Sequence, residues 1–126
     1  MIDINGFVAK WNGQECETGP YRDQCVNLIK EWEAENGWPT TYGNAIDYAK
    51  GQPGWTWVGN TPAGVPPAAA IAVFRVGQYG HVALVLPGSN TRTLVTFEQN
   101  DPLGSSCHVH NYDYLRPVCL GWLIHQ

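Results

Sequence analysis

The sequence predicts an α+β fold in which short N-terminal helices pack on a mostly antiparallel sheet of about six strands. Before Pro53, apolar residues recur at the spacing of helices. After Pro53, short runs rich in Val, Ile, Thr and aromatic residues are separated by turns that contain Gly and Pro. With 126 residues, the chain is expected to form one domain with its own core.

Two helices are expected in the first third of the chain. Apolar residues one turn apart within residues 4–11 predict a short amphipathic helix capped by Asp3 or Asn5. A polar loop leads to a second helix, for which Asp23 is a suitable N-cap because its carboxylate can accept from the free amides of the first turn. Gly37 is the expected end of this helix.

A brief third helix over residues 45–49 should end at Gly51. The rest of the chain carries the alternating or continuous apolar patterns of strands. The strands are expected near residues 55–58, 70–76, 81–87, 93–99, 107–112 and 119–124.

Charge and composition exclude several classes of function. The net charge is -4, which argues against nucleic-acid binding and against unaided attraction to an anionic wall or membrane. No apolar run approaches the length of a membrane span, and the N-terminus has no basic region followed by an apolar one. We therefore expect a protein made in the cytoplasm without a signal peptide, which acts outside only after release.

The cysteines indicate neither a zinc ribbon nor a disulfide framework. The four are Cys16, Cys25, Cys107 and Cys119. No CxxC pair is present, and without a signal peptide the reduced state is expected. Cys119 precedes an apolar run and is expected in the core. Cys107 stands beside His108 and His110, but this cluster lacks a second ligand group, so we expect a strand with alternating faces and no metal.

Cys25 falls in the first turn of the second predicted helix. Unpaired N–H groups and the positive end of the helix dipole favour an anion there, and a thiolate is such an anion. The alternative is that Cys25 is simply a small buried apolar residue, the commoner fate of a free cysteine. The rest of the chain favours the catalytic interpretation.

His81 and Glu98 stand at the two strand ends that an antiparallel hairpin would bring together. His81 opens the apolar strand 81–87, and Glu98 and Asn100 end the strand that follows. Because side chains alternate along a strand, Glu98 and Asn100 are expected on the same face. Cys25 would then be the nucleophile, His81 its general base, Glu98 the group that orients the imidazole, and Asn100 a second orienting group.

The backbone N–H of Cys25, at a helix N-terminus, is the natural oxyanion donor. Gln24 or Tyr21 is expected to supply a second donor. Tyr79 is also expected to contact the substrate. If residues 1–126 act without a separate binding module, the alternative is that they recognise the wall through an aromatic-rich groove around Trp55, Trp57 and Tyr79.

These motifs resemble the CHAP domain, the family of cysteine- and histidine-dependent amidohydrolases and peptidases. The matching elements are residues 7–13 (FVAKWNG), 24–28 (QCVNL), 71–74 (IAVF), 80–85 (GHVALV) and 97–100 (FEQN). The resemblance implies a papain-like fold and cleavage of an amide bond in bacterial peptidoglycan. It further implies a monomeric catalytic domain of the kind that phage endolysins carry, which lyses the cell wall.

The sequence departs from the family pattern at two places. Alanines occupy residues 69–70, where the family often has Gly-Asp. Some members bind calcium through an acidic loop before the nucleophile. Here Glu15, Glu17 and Asp23 lack the Asp-x-Asp spacing, and Asn27 replaces a common Asp, so no cofactor is expected although calcium stays open.

Three functions remain open from the sequence. The first is a peptidoglycan hydrolase, either an N-acetylmuramoyl-L-alanine amidase or an endopeptidase of the stem or cross-bridge. The second is a papain-like protease or deamidase that acts on protein, and the third is a non-catalytic wall-binding module. We expect residues 1–126 to be one catalytic domain at the N-terminal end of a longer wall hydrolase.

Overall fold

The computed structural model describes residues 1–21, 24–113 and 118–126. Helix α1 spans Ile4–Trp11, and Asp3 is its N-cap, since the Asp3 carboxylate accepts from the N–H of Gly6 at 2.7 Å. Of the two caps that the sequence allowed, Asp3 is therefore the one used. Trp11 donates through Nε1 to Glu35 at 2.8 Å, which joins α1 to the second helix.

Helix α2 spans Cys25–Asn36, and its N-cap is Gln24, so the prediction of Asp23 as the cap was wrong by one residue. Asp23 itself lies outside the described residues. The physical reason lies inside the helix, where the Asn27 side chain accepts from the N–H of Gln24 at 2.8 Å and closes the first turn. The helix ends at Gly37 as predicted, with φ of 68° in the left-handed region.

The third helix is a 3₁₀ helix, Ala45–Lys50, and the six strands that follow form one sheet. The strands are β1 (Trp55–Gly59), β2 (Ile71–Arg75), β3 (His81–Val85), β4 (Thr93–Glu98), β5 (His108–Asp113) and β6 (Val118–His125). Their order across the sheet is β1-β6-β2-β3-β4-β5, and every neighbouring pair is antiparallel. The predicted α+β class and strand count are confirmed.

One face of the sheet packs on the helices, and the other face is buried by the curvature of the sheet itself. On the helix side, Phe7, Ile29 and Leu84 belong to one core cluster. On the other side, Phe74 of β2 and Tyr112 of β5 have ring centroids 4.8 Å apart, although two strands lie between β2 and β5. Since flat strands are about 4.8 Å apart each, this contact requires β3–β5 to curl over β2.

No helix in residues 1–21, 24–113 or 118–126 combines the length and apolar character that crossing a bilayer requires.

A buried carboxylate connects α2 to the loop that follows it. Glu33 is fully buried and accepts from both the backbone N–H and the hydroxyl of Thr41, at 3.0 and 2.8 Å. The Thr41 hydroxyl also contacts the Tyr48 hydroxyl at 2.7 Å, and Lys30 donates to the Thr41 carbonyl. Burial raises the pKa of Glu33 to about 7, because it outweighs the Thr41 hydrogen bonds and the Lys30 charge.

We predict that Glu33 makes the protein less stable as pH rises from about 4.5 to about 7. The pKa of Glu33 in the folded state lies above the ordinary 4.5, so the folded state binds the proton more tightly than the unfolded state. The free energy of unfolding therefore falls as pH rises from about 4.5 to about 7, by up to about 3 kcal/mol. In Glu33→Gln the amide can accept from the Thr41 N–H and donate to its hydroxyl, so this slope should flatten. Urea unfolding at several pH values measures it.

Glu35→Gln is the matched control on the same helix. The pKa of Glu35 is lowered despite its partial burial, because hydrogen bonds from Glu31, Lys10 and Trp11 favour the carboxylate. The Glu35→Gln protein should therefore still lose free energy of unfolding as pH rises, as the wild type does. Parallel stability curves for the wild type and Glu33→Gln would contradict the prediction.

Candidate active site

The start of α2, the start of β3 and the end of β4 meet at one cleft. Leu84 of β3 pairs with Phe97 of β4, so the beginning of β3 lies beside the end of β4, as the hairpin predicted. Cys25 is the first residue of α2 and is half-buried, whereas His81 and Glu98 are buried at the strand ends. A cleft of about 320 Å³ is lined by both Cys25 and His81.

Glu98 is the most enclosed charged group of the site, with none of its surface exposed. Its Oε2 accepts from His81 Nε2 at 3.0 Å and from the Tyr112 hydroxyl at 2.7 Å. Its Oε1 accepts from the Thr96 hydroxyl at 2.6 Å. Burial alone would raise the pKa of Glu98, but the hydrogen bonds from these three donors lower it below its ordinary value, so the group is a carboxylate at neutral pH.

His81 is held between Cys25 and Glu98. Because Nε2 bonds to Glu98, Nδ1 is the ring nitrogen left for Cys25. Burial alone would lower the pKa of His81, but hydrogen bonds and electrostatic attraction to Cys25 and Glu98 raise it to about 10. The imidazole therefore carries its proton at neutral pH.

Asn100 lines the same cleft but does not share a strand face with Glu98, contrary to the alternation argument. Strand β4 ends at Glu98, and Asn100 has a left-handed φ of 64° in the turn beyond it. Its Oδ1 accepts from the N–H of Gly104 at 2.8 Å, and its own N–H donates to Ser105. The Asn100 side chain closes this turn. The two-residue period applies only within a strand, so it could not predict this role.

The residues expected to bind the oxyanion or the substrate surround Cys25. Tyr21, Gln24, Tyr79 and Cys25 line a second cleft that adjoins the first. Tyr21 and Tyr79 are 54% and 59% exposed, so their rings are available to a ligand.

Two residues near the site escaped the sequence argument. Tyr112 donates to Glu98 from β5, and Asp101 places Oδ2 3.9 Å from His81 Nε2. Tyr112 lies on the same face of β5 as His108 and His110, so the two-residue period was a usable clue. Asp101 stands in a turn, where no period applies.

Gln99, between the two expected orienting residues, was also missed and holds the chain next to the nucleophile. It is 1% exposed, and its Nε2 donates to the carbonyl of Gln24 at 2.8 Å and to that of Cys16 at 2.9 Å. Its Oε1 accepts from the N–H of Cys16 at 2.9 Å and from the thiol of Cys107 at 3.2 Å. Gln99 thus ties the end of β4 to the residue that precedes Cys25.

All four cysteines are free, and Cys25 is the one that is not buried. The sulfurs of Cys16 and Cys107 are 3.9 Å apart, which is a hydrogen-bond contact rather than a disulfide. The hydrogen bond to Cys107 and burial raise the pKa of Cys16, and burial raises that of Cys119 to about 11. The thiols of Cys16 and Cys119 therefore stay protonated and inert at neutral pH.

The side chain of Asn27 bonds to the described part of the loop before α2. Asn27 is fully buried, and its Nδ2 donates to the carbonyls of Thr18 at 2.6 Å and Tyr21 at 2.8 Å. A calcium ion requires several convergent oxygen ligands, whereas here a side-chain amide donates one hydrogen to each of two loop carbonyls. In the described ranges, clusters of three or more metal-ligating side chains occur only around Glu98.

Comparison with known proteins identifies a family and a relative that match this chain in sequence. Residues 14–100 match the sequence model of the CHAP domain, a range that includes Cys25, His81, Glu98 and Asn100. Endolysin LysK of Staphylococcus phage K is 39% identical over 90 residues, which cover 65% of this chain. The chain spans only 18% of the length of LysK.

Two solved structures share the fold. The endolysin LysIME-EF1 superposes with a TM-score of 0.78 at 22% identity, over 99% of this chain and 65% of that one. Ly7917 superposes with a TM-score of 0.67 at 16% identity, over 98% of this chain and 62% of that one. At such identities the likeness establishes the fold.

We predict that Gln99→Met lowers kcat by about 10- to 100-fold with little change in KM, because a nucleophile displaced by even 1 Å loses that much rate. Methionine fills the same volume but cannot hold the Gln24 carbonyl. Cys107→Ala is the matched control, since it removes a Gln99 contact that does not reach α2. Steady-state kinetics on the folded variants measure the effect, and an unchanged kcat in Gln99→Met would refute it.

Proposed function

This chain belongs to the CHAP domain family, and we propose that it hydrolyses an amide bond of bacterial peptidoglycan with Cys25 as the nucleophile. The proposal rests on the contacts among Cys25, His81 and Glu98 at the cleft. Cys25 at a helix N-terminus adjoins His81, whose far nitrogen is held by the buried Glu98 carboxylate at 3.0 Å. This is the nucleophile, base and orienting group of a cysteine hydrolase.

The proposed reaction proceeds in two steps, formation of a thioester and its hydrolysis. The sulfur of Cys25 attacks the carbonyl carbon, and the proton on Nδ1 of His81 passes to the leaving nitrogen, so the amine departs and a thioester remains. His81 next takes a proton from water as the water attacks the thioester. The C–S bond of the thioester then breaks, which leaves a carboxylic acid and returns Cys25 as a thiolate beside the protonated His81.

Glu98 acts through His81 in both steps. It holds Nε2–H, which fixes the orientation of the ring and directs Nδ1 to the sulfur. Asn100 is proposed as a second orienting group because it lines the cleft beside His81. The N–H of Cys25 is the proposed oxyanion donor, with Gln24 or Tyr21 as the second.

The proposed substrate follows from the relatives and the cleft. LysK is an endolysin, and the exposed rings of Tyr21 and Tyr79 beside Cys25 suit the sugar and peptide surfaces of a wall polymer. The bond is either that between N-acetylmuramic acid and L-alanine or one within the stem or cross-bridge. Mass spectrometry of digested walls distinguishes these bonds by the new amino group that each releases.

We further propose that the domain acts on the wall as part of a longer protein. It spans 18% of LysK, and its net charge of -4 gives it no attraction to an anionic wall. A tethered binding module would raise the local substrate concentration without altering the chemistry.

We predict that Cys25→Ala and His81→Ala abolish wall lysis in protein that keeps its fold, because loss of either group removes most of the rate. Glu98→Gln should also reduce turnover strongly, since an amide holds the imidazolium less well than a carboxylate. Turbidity loss of purified walls measures activity, and circular dichroism checks the fold. A folded Cys25→Ala protein with near-normal turnover would exclude the mechanism.

Asn100→Ala is the comparison variant within the same cleft. Its side-chain oxygen is bonded to Gly104, so we expect a smaller loss than in Glu98→Gln. A larger loss at Asn100 would favour a Cys-His-Asn arrangement. Casein serves as the second substrate, because hydrolysis of casein but not of walls would instead indicate a protease.

We propose that the domain needs no calcium, and we predict that Asn27→Asp creates a dependence on it. The introduced carboxylate would keep the contact to the Gln24 N–H but has no hydrogen to donate to the Thr18 and Tyr21 carbonyls. The lost hydrogen bonds should destabilise the fold by about 1–3 kcal/mol, and a cation bound between these oxygens can offset that loss. The thermal midpoint of Asn27→Asp should be low in EGTA and rise with millimolar calcium. Wild-type stability and lysis should be unchanged by EGTA.

Asn27→Leu is the matched control, because it removes the same donors without adding a ligand. It should be destabilised in both buffers. Calcium-dependent stability in the wild type would overturn the proposal.

A further inference from the structure

His108 and His110, which the sequence argument set aside, stand next to Glu98 in the sheet. They alternate with an exposed valine on β5, so both rings lie on one face. In the β4–β5 ladder, His108 pairs with Glu98 and His110 pairs with Thr96. The ligand atoms of Glu98, His108 and His110 all lie within 4.8 Å of one another.

The two imidazoles are oriented as metal ligands are. Nδ1 of His108 lies 2.8 Å from the carbonyl of Ser106, and since a carbonyl only accepts, Nδ1 carries the hydrogen. In the neutral ring, Nε2 then has a free lone pair, and a carbonyl that holds the other nitrogen is typical of metal-binding histidines. His110 stacks on Tyr112 with centroids 4.0 Å apart and places Nδ1 3.6 Å from Glu98 Oε2.

We propose that Glu98, His108 and His110 form a binding site for a transition-metal dication, with Zn²⁺ as the best fit. Two imidazole nitrogens and one carboxylate oxygen are a known zinc donor set that leaves a fourth position for water. Bonds of about 2.0–2.1 Å put neighbouring tetrahedral ligands about 3.3–3.5 Å apart, close to the 3.6 Å between His110 and Glu98. The His110 side chain is 40% exposed, which leaves a path for the ion.

Occupancy of this site would oppose catalysis, an inference that rests on the proposed function. The two lone pairs of Glu98 Oε2 are already used by His81 Nε2 at 3.0 Å and by the Tyr112 hydroxyl at 2.7 Å. A metal ion at Oε2 must displace one of these donors and withdraws negative charge from the other. Zinc and the imidazolium of His81 therefore compete for one carboxylate, and zinc acts as a reversible inhibitor.

The catalytic thiol is an alternative zinc ligand, so binding is measured in Cys25→Ala, and the His→Gln changes below distinguish this site from one that uses His81 and Asp101. Zinc titrated calorimetrically into Cys25→Ala should bind one to one. Adding His108→Gln and His110→Gln together should weaken binding by at least about tenfold, since even the loss of an outer-shell partner costs 10–100-fold. His125→Gln is the matched control, because His125 stacks on Trp38 with centroids 4.1 Å apart, on β6.

Cobalt provides a spectroscopic test of the same ligands. Co²⁺ bound to Cys25→Ala should show the visible bands of a tetrahedral ion and no thiolate charge-transfer band. Equal zinc affinity in Cys25→Ala with and without the two His→Gln changes would overturn the site. A thiolate band would do so as well, since it would assign the ion to a cysteine.

Assays of wall lysis test separately whether zinc bound at this site inhibits catalysis. Zinc should inhibit wall lysis by the wild-type chain and chelation should restore it, whereas the His108→Gln/His110→Gln protein should retain lysis and resist zinc. Inhibition that is equal in both proteins would refute the competition for Glu98. Zinc binding with the expected variants, in a chain that lyses no wall at all, would leave the site standing and reject the proposed function.

Discussion

The site depends on one buried charge, the carboxylate of Glu98. An ionised group without solvent is costly unless its lone pairs are filled, and here His81, Thr96 and Tyr112 fill them from three neighbouring strands. The same bonds that stabilise the carboxylate also fix the imidazole. Stability and geometry are therefore coupled at Glu98, because loss of any donor leaves the buried charge less well paired, and loss of the charge itself releases His81.

The curl of the sheet makes this arrangement possible. In a flat sheet, Tyr112 on the edge strand would be far from Phe74, yet their rings are in contact. The curl folds β5 over the strand ends and encloses Glu98 on the face that the helices do not cover. The helices pack on the opposite face, and the N-terminal end of α2 reaches the cleft that Cys25 and His81 line. The nucleophile and the base thus come from two separately packed parts of the fold.

Local periodicity predicted the fold and the approach of His81 to Glu98, and it failed where turns and curvature take over. An antiparallel hairpin dictates that its strand ends meet, so that contact could be derived without coordinates. Asn100 was misassigned to a strand face because the strand stops two residues earlier. Gln99 could not be found, since its partners at Cys16 and Gln24 are brought close only by tertiary packing.

The segment that precedes Cys25 and the strand ends that carry His81 and Glu98 are held by different kinds of interaction. The two parts of the site therefore respond to different changes in conditions. The segment before Cys25 is fixed by the side-chain amides of Gln99 and Asn27, which bond to backbone carbonyls and change charge with neither pH nor redox state. The sheet half is fixed by a carboxylate and an imidazole, which respond to protons and to metal ions. Conditions that alter the charge of Glu98 or His81 therefore act directly on the base, whereas the amide bonds that hold Gln24 and Tyr21 keep their charge. This asymmetry follows from the fold, because loops need donors for their carbonyls, whereas strand ends can bring charged side chains together.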